Sequence, residues 1–162
     1  MSIQLHTPAG FGPLKKGERY FLLDNGACCG RVLLVSFGAQ PSYCLATIAI
    51  EDFERACKAI RNARGTVRDA LIERVPEQDR WDLPPWLRDR RGLNGSIASL
   101  RAAKLTDALD VLSDITSADN PDKVLNGYAY GVKENTQRFR LWFYTYVAFG
   151  FNAIALPPGL AT

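Results

Sequence analysis

The chain has 162 residues, 47% hydrophobic and 23% charged, a balance that belongs to globular proteins rather than to disordered or membrane-spanning ones. Its formal net charge of +3 permits a nucleic-acid partner without demanding one. The single histidine, His6, and four cysteines with no C-x-x-C pair, Cys28, Cys29, Cys44 and Cys57, leave no zinc-finger or catalytic-zinc spacing. No stretch approaches the roughly 18 apolar residues of a membrane span and no signal sequence opens the chain, so the expectation is a cytoplasmic protein with reduced thiols and no membrane partner.

Residues 1–17 hold Pro8, Gly10, Gly12, Pro13 and Gly17 and read as an irregular arm. "RYFLLDNG" (19–26) and "RVLLVSFG" (31–38) are apolar runs on either side of "DNGACCG", the pattern of a hairpin, and "SYCLATIAI" (42–50) adds a third strand. A small antiparallel, barrel-like sheet follows from these. "EDFERACKAIRNARG" (51–65) sets Phe53, Ala56, Cys57 and Ile60 on one helical stripe, with acids first, bases last and Gly65 as the stop. A second short helix is expected over 66–75, ending at Pro76.

"PEQDRWDLPPWLRDRRGLN" (76–94) has three prolines and alternating charge, which marks a linker between a β-rich domain with short helices (1–75) and a helical domain with its connector (95–162). Trp81 and Trp86 suit docking onto a neighbouring domain. Arg88, Arg90 and Arg91 suit either a solvated linker or an arm following a phosphate backbone.

In the helical half, Ser96 is a cap for a helix to about Ile115, whose stripe is Leu100, Leu105, Ala108, Leu109, Leu112 and Ile115. Asn120-Pro121 opens a second helix that stops at Gly131, where a left-handed turn is expected, and Asn135 caps a third that runs to Gly150. Three helices with short turns have the dimensions of a helix-turn-helix, and the fold class is therefore α+β. At 100° per residue, Phe139, Trp142, Phe143 and Tyr146 share the buried side of the third helix, and Gln137, Leu141, Tyr144 and Ala148 face outward. In a groove-reading helix the first turn meets the bases, so Asn135, Thr136, Gln137 and Arg138 are candidate base-edge or phosphate contacts, and Lys133 and Arg140 candidate phosphate contacts. The competing reading makes Leu141, Tyr144 and Ala148 a docking face for a protein partner or another copy of the chain.

The run "GVKENTQRFRLWFYTYVAFG" followed by "NAIALPP" is similar to the first helix-turn-helix of the Tn7 B-subunit and Mu type of DDE transposase, and the order of a β-rich domain before helical ones resembles that family too. The resemblance implies the N-terminal DNA-binding portion of a transposase, which recognises the double-stranded ends of a mobile genetic element in DNA transposition and recombination. It also implies a bacterial, nucleoid-associated setting and further partners in itself or other transposition proteins. Catalysis in that family uses a carboxylate triad holding two Mg²⁺ ions in a ribonuclease-H-like domain. No catalytic residue and no cofactor is therefore expected in this chain, whose end at "LPPGLAT" reads as that of an N-terminal fragment. A stand-alone transcriptional regulator is the other nucleic-acid reading.

Carboxylates at Asp24 and Asp52, or Asp107, Asp110 and Asp114, lack a patterned base and read as solvated charge. The Cys28-Cys29 pair lacks a neighbouring base for nucleophile chemistry, and no P-loop, G-x-G-x-x-G or G-x-S-x-G motif occurs.

Overall fold

A computed structural model describes residues 3–58, 60–61, 67–68, 70–87 and 95–156. The chain folds in the α+β class, with a five-stranded antiparallel sheet and six α-helices among the described residues. By contacts it divides into two units. One comprises Ile3–Ser36 and Cys44–Arg80; the other comprises Phe37–Tyr43 and the chain from Trp81 onward.

The first unit carries the sheet, built from β1 (Gln4–His6), β2 (Arg19–Asp24), β3 (Arg31–Phe37), β4 (Tyr43–Ala49) and, after a two-stranded pair of β5 (Ile60–Arg61) and β6 (Val67–Arg68), β7 (Glu73–Arg74). The strand order is β4-β3-β2-β1-β7. β4 and β7 are its two ends and do not pair with one another, so the sheet is open and the barrel-like expectation is corrected. Leu5, Tyr20, Val32, Leu34, Ala46 and Ile48 build one apolar cluster with Leu14, Ala56 and Ile72. The β2–β3 turn follows from its residues. Asp24 Oδ1 accepts from the Gly26 amide at 2.8 Å, and Gly26 has φ +81°, with Arg31 backbone atoms 3.1 Å from where a Cβ would stand.

The N-terminal arm is more regular than its prolines and glycines suggest. It contains β1, paired to β2 in the register Leu5↔Tyr20, and a bridge between Phe11 and Leu14. Thr7 organises it: the buried side-chain hydroxyl donates to the Lys15 carbonyl at 2.7 Å, and its own carbonyl accepts from Gly10 and Gly17.

The helix expected over 51–65 ends early, as α1 (Ile50–Ala56), and the helix expected over 66–75 is replaced by β6 and β7. The Ala56 carbonyl accepts from the amides of both Leu71 and Ile72, at 2.8 and 3.0 Å, so the returning chain occupies the acceptor that a continuing helix would use. Ile72, 1% exposed, is held in the core by that return. Tertiary packing has overridden a genuine helical period.

In the second unit, Trp86 is buried and meets Phe37 edge-on at 5.6 Å, while Phe37 also lies 5.6 Å from Phe149. The helix expected to run from Ser96 to Ile115 is three pieces: α2 (Gly95–Ala103), α3 (Thr106–Asp110) and α4 (Leu112–Thr116). Ser96 lies inside α2, not at its cap. The Lys104 and Leu105 amides bond three residues back, to Arg101 and Ala102, which tightens and stops the first piece. Leu105, Ala108 and Ile115 are fully buried as their stripe requires, but Leu100 is 69% exposed.

The last two helices, α5 (Pro121–Gly131) and α6 (Thr136–Ala148), begin where the sequence places them. Asn120 Oδ1 accepts from the Lys123 amide, with Pro121 in the first turn, and Asn135 Oδ1 accepts from the Arg138 amide. Both end in one motif. At α6 the Phe151 amide donates to the Tyr146 carbonyl and the Gly150 amide to that of Val147, with Gly150 at φ +70° and the Tyr146 and Phe151 rings edge to face at 5.6 Å. At α5 the Glu134 amide donates to Ala129 and the Lys133 amide to Tyr130. The left-handed position there is Lys133, at φ +56°, so the turn assigned to Gly131 belongs two residues later and to a non-glycine.

Candidate functional site

The start of α6 is where cations gather. Glu134, in the left-handed turn, turns a carboxylate with a side-chain exposure of only 9% toward two of them. Lys104 Nζ donates to its Oε2 at 2.7 Å, and Arg138 Nη1 donates to its Oε1 at 3.2 Å. Both cations remain substantially exposed. Burial works against the Glu134 charge, but the Lys104 hydrogen bond, the Asn135 amide and the charges of Lys104 and Arg138 outweigh it and lower the carboxyl pKa. Arg101 stands over the Trp142 ring at 5.0 Å, and desolvation together with the nearby Arg138 charge lowers its pKa. Lys133 adds an exposed fourth cation beside Glu134, and α6 itself contains no acidic residue. Lys104 and Arg138 therefore pair with the one carboxylate, Arg101 feels its charge, and Lys133 is its neighbour in the chain.

The nine residues singled out in the sequence fare differently. Lys133, Asn135 and Gln137 are exposed, and Thr136 and Arg138 are half-buried. The Asn135 side chain is spent as the cap. Arg140 lies further along the helix, half-buried among Tyr43, Tyr144 and Asp122, with its Nε buried and unpartnered among the described residues. Arg88, Arg90 and Arg91 lie outside the described residues. Arg101, Lys104 and Glu134 were missed, because only packing brings the end of α2 beside the start of α6; the basic residues at 101 and 104 were the one available signal.

The outward face expected for α6 is corrected as well. Phe139, Trp142 and Phe143 are buried, but so are Tyr144 and Ala148, both fully, while Tyr146 is only half-buried. Tyr144 donates its hydroxyl to Asp122 Oδ1 at 2.7 Å and packs on Tyr43 with ring centroids 4.8 Å apart. Burial first, then the Asp122 carboxylate, raises the pKa of both tyrosines. Of the expected docking face, Tyr144 and Ala148 are thus interior and Leu141 is half-buried. Large apolar side chains stand exposed elsewhere, at Ile97, Leu100, Val124, Tyr130 and Phe151.

Among the described residues no group of three or more His, Cys, Asp or Glu side chains could hold a metal ion, and no helix is long and apolar enough to cross a membrane. No protein-family model, curated protein or solved structure matches this chain.

Proposed function

We propose that this chain binds double-stranded DNA through the first turn of α6 and the cations around it, as the N-terminal, end-recognising portion of a transposase. The observation that carries the reading is Lys133. A left-handed backbone costs a non-glycine residue about 1–2 kcal/mol, and residues held there despite that cost cluster at functional sites. Glycine is the ordinary choice at this position of the motif. An exposed lysine in its place, one residue before the Glu134 that holds Lys104 and Arg138 and two before the cap of an acid-free helix, adds positive charge for phosphates to meet. Gln137, exposed on the first turn, is then the side chain best situated to meet a base edge.

The transposase assignment adds to this the sequence resemblance of residues 131–158, and implies self-association or other transposition proteins as partners. A stand-alone regulator would use the same surface. Mobility-shift titrations with transposon-end repeats and with scrambled duplexes test both levels. The reading expects retardation of duplex DNA that Lys133→Ala plus Gln137→Ala weakens at least about tenfold, with a preference for the end repeats. Equal binding to both duplexes leaves a DNA-binding protein but removes the transposon-end assignment. Absence of retardation at about 50 mM salt removes DNA binding altogether.

A further inference from the structure

The sheet ends in two very different edges. β7 is two residues long, and both, Glu73 and Arg74, are charged and exposed, which is how natural proteins blunt a strand edge. β4 is seven residues long, and among the described residues only β3 pairs with it. It exposes Cys44, Thr47 and Ala49, contains no proline, and lies in a stretch without a single charge from 32 to 50. β4 thus has neither of two usual guards against strand addition, a charge or a proline on the edge.

We infer that β4 is a self-association edge, at which a second copy of this chain adds its own β4 antiparallel about a two-fold axis at Ala46. Such an isologous contact closes at a dimer. The residues complement themselves in this register: Tyr43 faces Ala49, Cys44 faces Ile48 and Leu45 faces Thr47, so a large side chain meets a smaller one in the first and last pairs and Ala46 meets Ala46 at the axis. Charge selects the direction. Glu51, the first ionisable residue after β4, falls opposite uncharged Pro41 in antiparallel pairing, whereas a parallel pair would set the two Glu51 carboxylates side by side. An uncharged strand of this length is what the edge requires, and the chain itself supplies one. The inference stands independently of the DNA-binding reading.

Sedimentation velocity on the full chain from about 1 to about 100 µM, with hydrogen exchange of the 43–49 segment over the same range, tests it. The expected result is a species of twice the 18.0 kDa of the chain, whose population and whose 43–49 amide protection rise together with concentration. Thr47→Lys, on an exposed side chain, should weaken association at least about tenfold, and Thr47→Val should preserve it. A mass of 18.0 kDa throughout overturns the inference. So does a dimer that Thr47→Lys leaves intact, or one whose formation leaves exchange at 43–49 unchanged.

Discussion

The hydroxyl of Tyr144 donates to Asp122 Oδ1 at 2.7 Å, tying the middle of α6 to the first turn of α5 from a fully buried ring. Tyr43 packs on that ring, with centroids 4.8 Å apart. The bond accompanies the burial of Phe139, Trp142, Phe143 and Ala148 on the same helix.

Tyr144→Phe keeps the ring and removes the donor, leaving a half-buried carboxylate short of a partner. The expected cost is about 1–3 kcal/mol in urea unfolding, with no loss of helix by circular dichroism. A variant as stable as the parent would show that the bond contributes nothing net.

The same pair sets an alkaline limit. Burial and Asp122 raise the Tyr144 and Tyr43 pKa values in the folded chain above the usual 10.0, so the folded state holds those protons more tightly than the unfolded one. Their contribution is complete below pH 10 and is lost as pH rises beyond it. Unfolding free energy measured upward from about pH 9 should fall more steeply in the parent than in Tyr144→Phe.

Glu134 predicts the opposite slope in acid. Its folded pKa lies below the usual 4.5, so its contribution is present above that value and disappears as pH falls through the folded one. Glu134→Gln should flatten the loss of stability in titrations below about pH 5, and the equal acid sensitivity of parent and variant would count against the Lys104–Glu134–Arg138 network.

Asn135→Ala removes the acceptor for the Arg138 amide and should destabilise the chain by about 1 kcal/mol, whereas Asn135→Gly should cost only a few tenths. Thermal unfolding of the two variants measures the contribution of the cap.

Several local signals in the sequence are realised, although Ser96, read as a cap, lies inside α2. The caps at Asn120 and Asn135 and the β2–β3 turn depend on residues within a few positions of each other, and all three are in the structure. Other failures arise where a distant segment intervenes. Residues 51–65 have a helical stripe, but Leu71 and Ile72 take the Ala56 carbonyl, and no period in the segment reveals that. Tyr144 lies opposite the aromatic face on a helical wheel, yet Tyr43 and Asp122 cover it. The left-handed turn was expected at Gly131 because glycine is the usual signature, and the chain uses Lys133 instead. That last mismatch is where the functional reading rests, since an exposed lysine holds a helix-ending position that glycine would fill without strain.

Lys133→Gly therefore tests the central claim most directly. Unfolding free energy and DNA affinity by fluorescence anisotropy should be measured on the same samples over a range of salt concentrations. The account predicts that the variant is more stable by about 1 kcal/mol, binds duplex DNA more weakly, and shows a salt slope shallower by about 0.9, the value for one phosphate contact. A variant that gains stability while its DNA affinity and salt slope stay at the parent's values would contradict it.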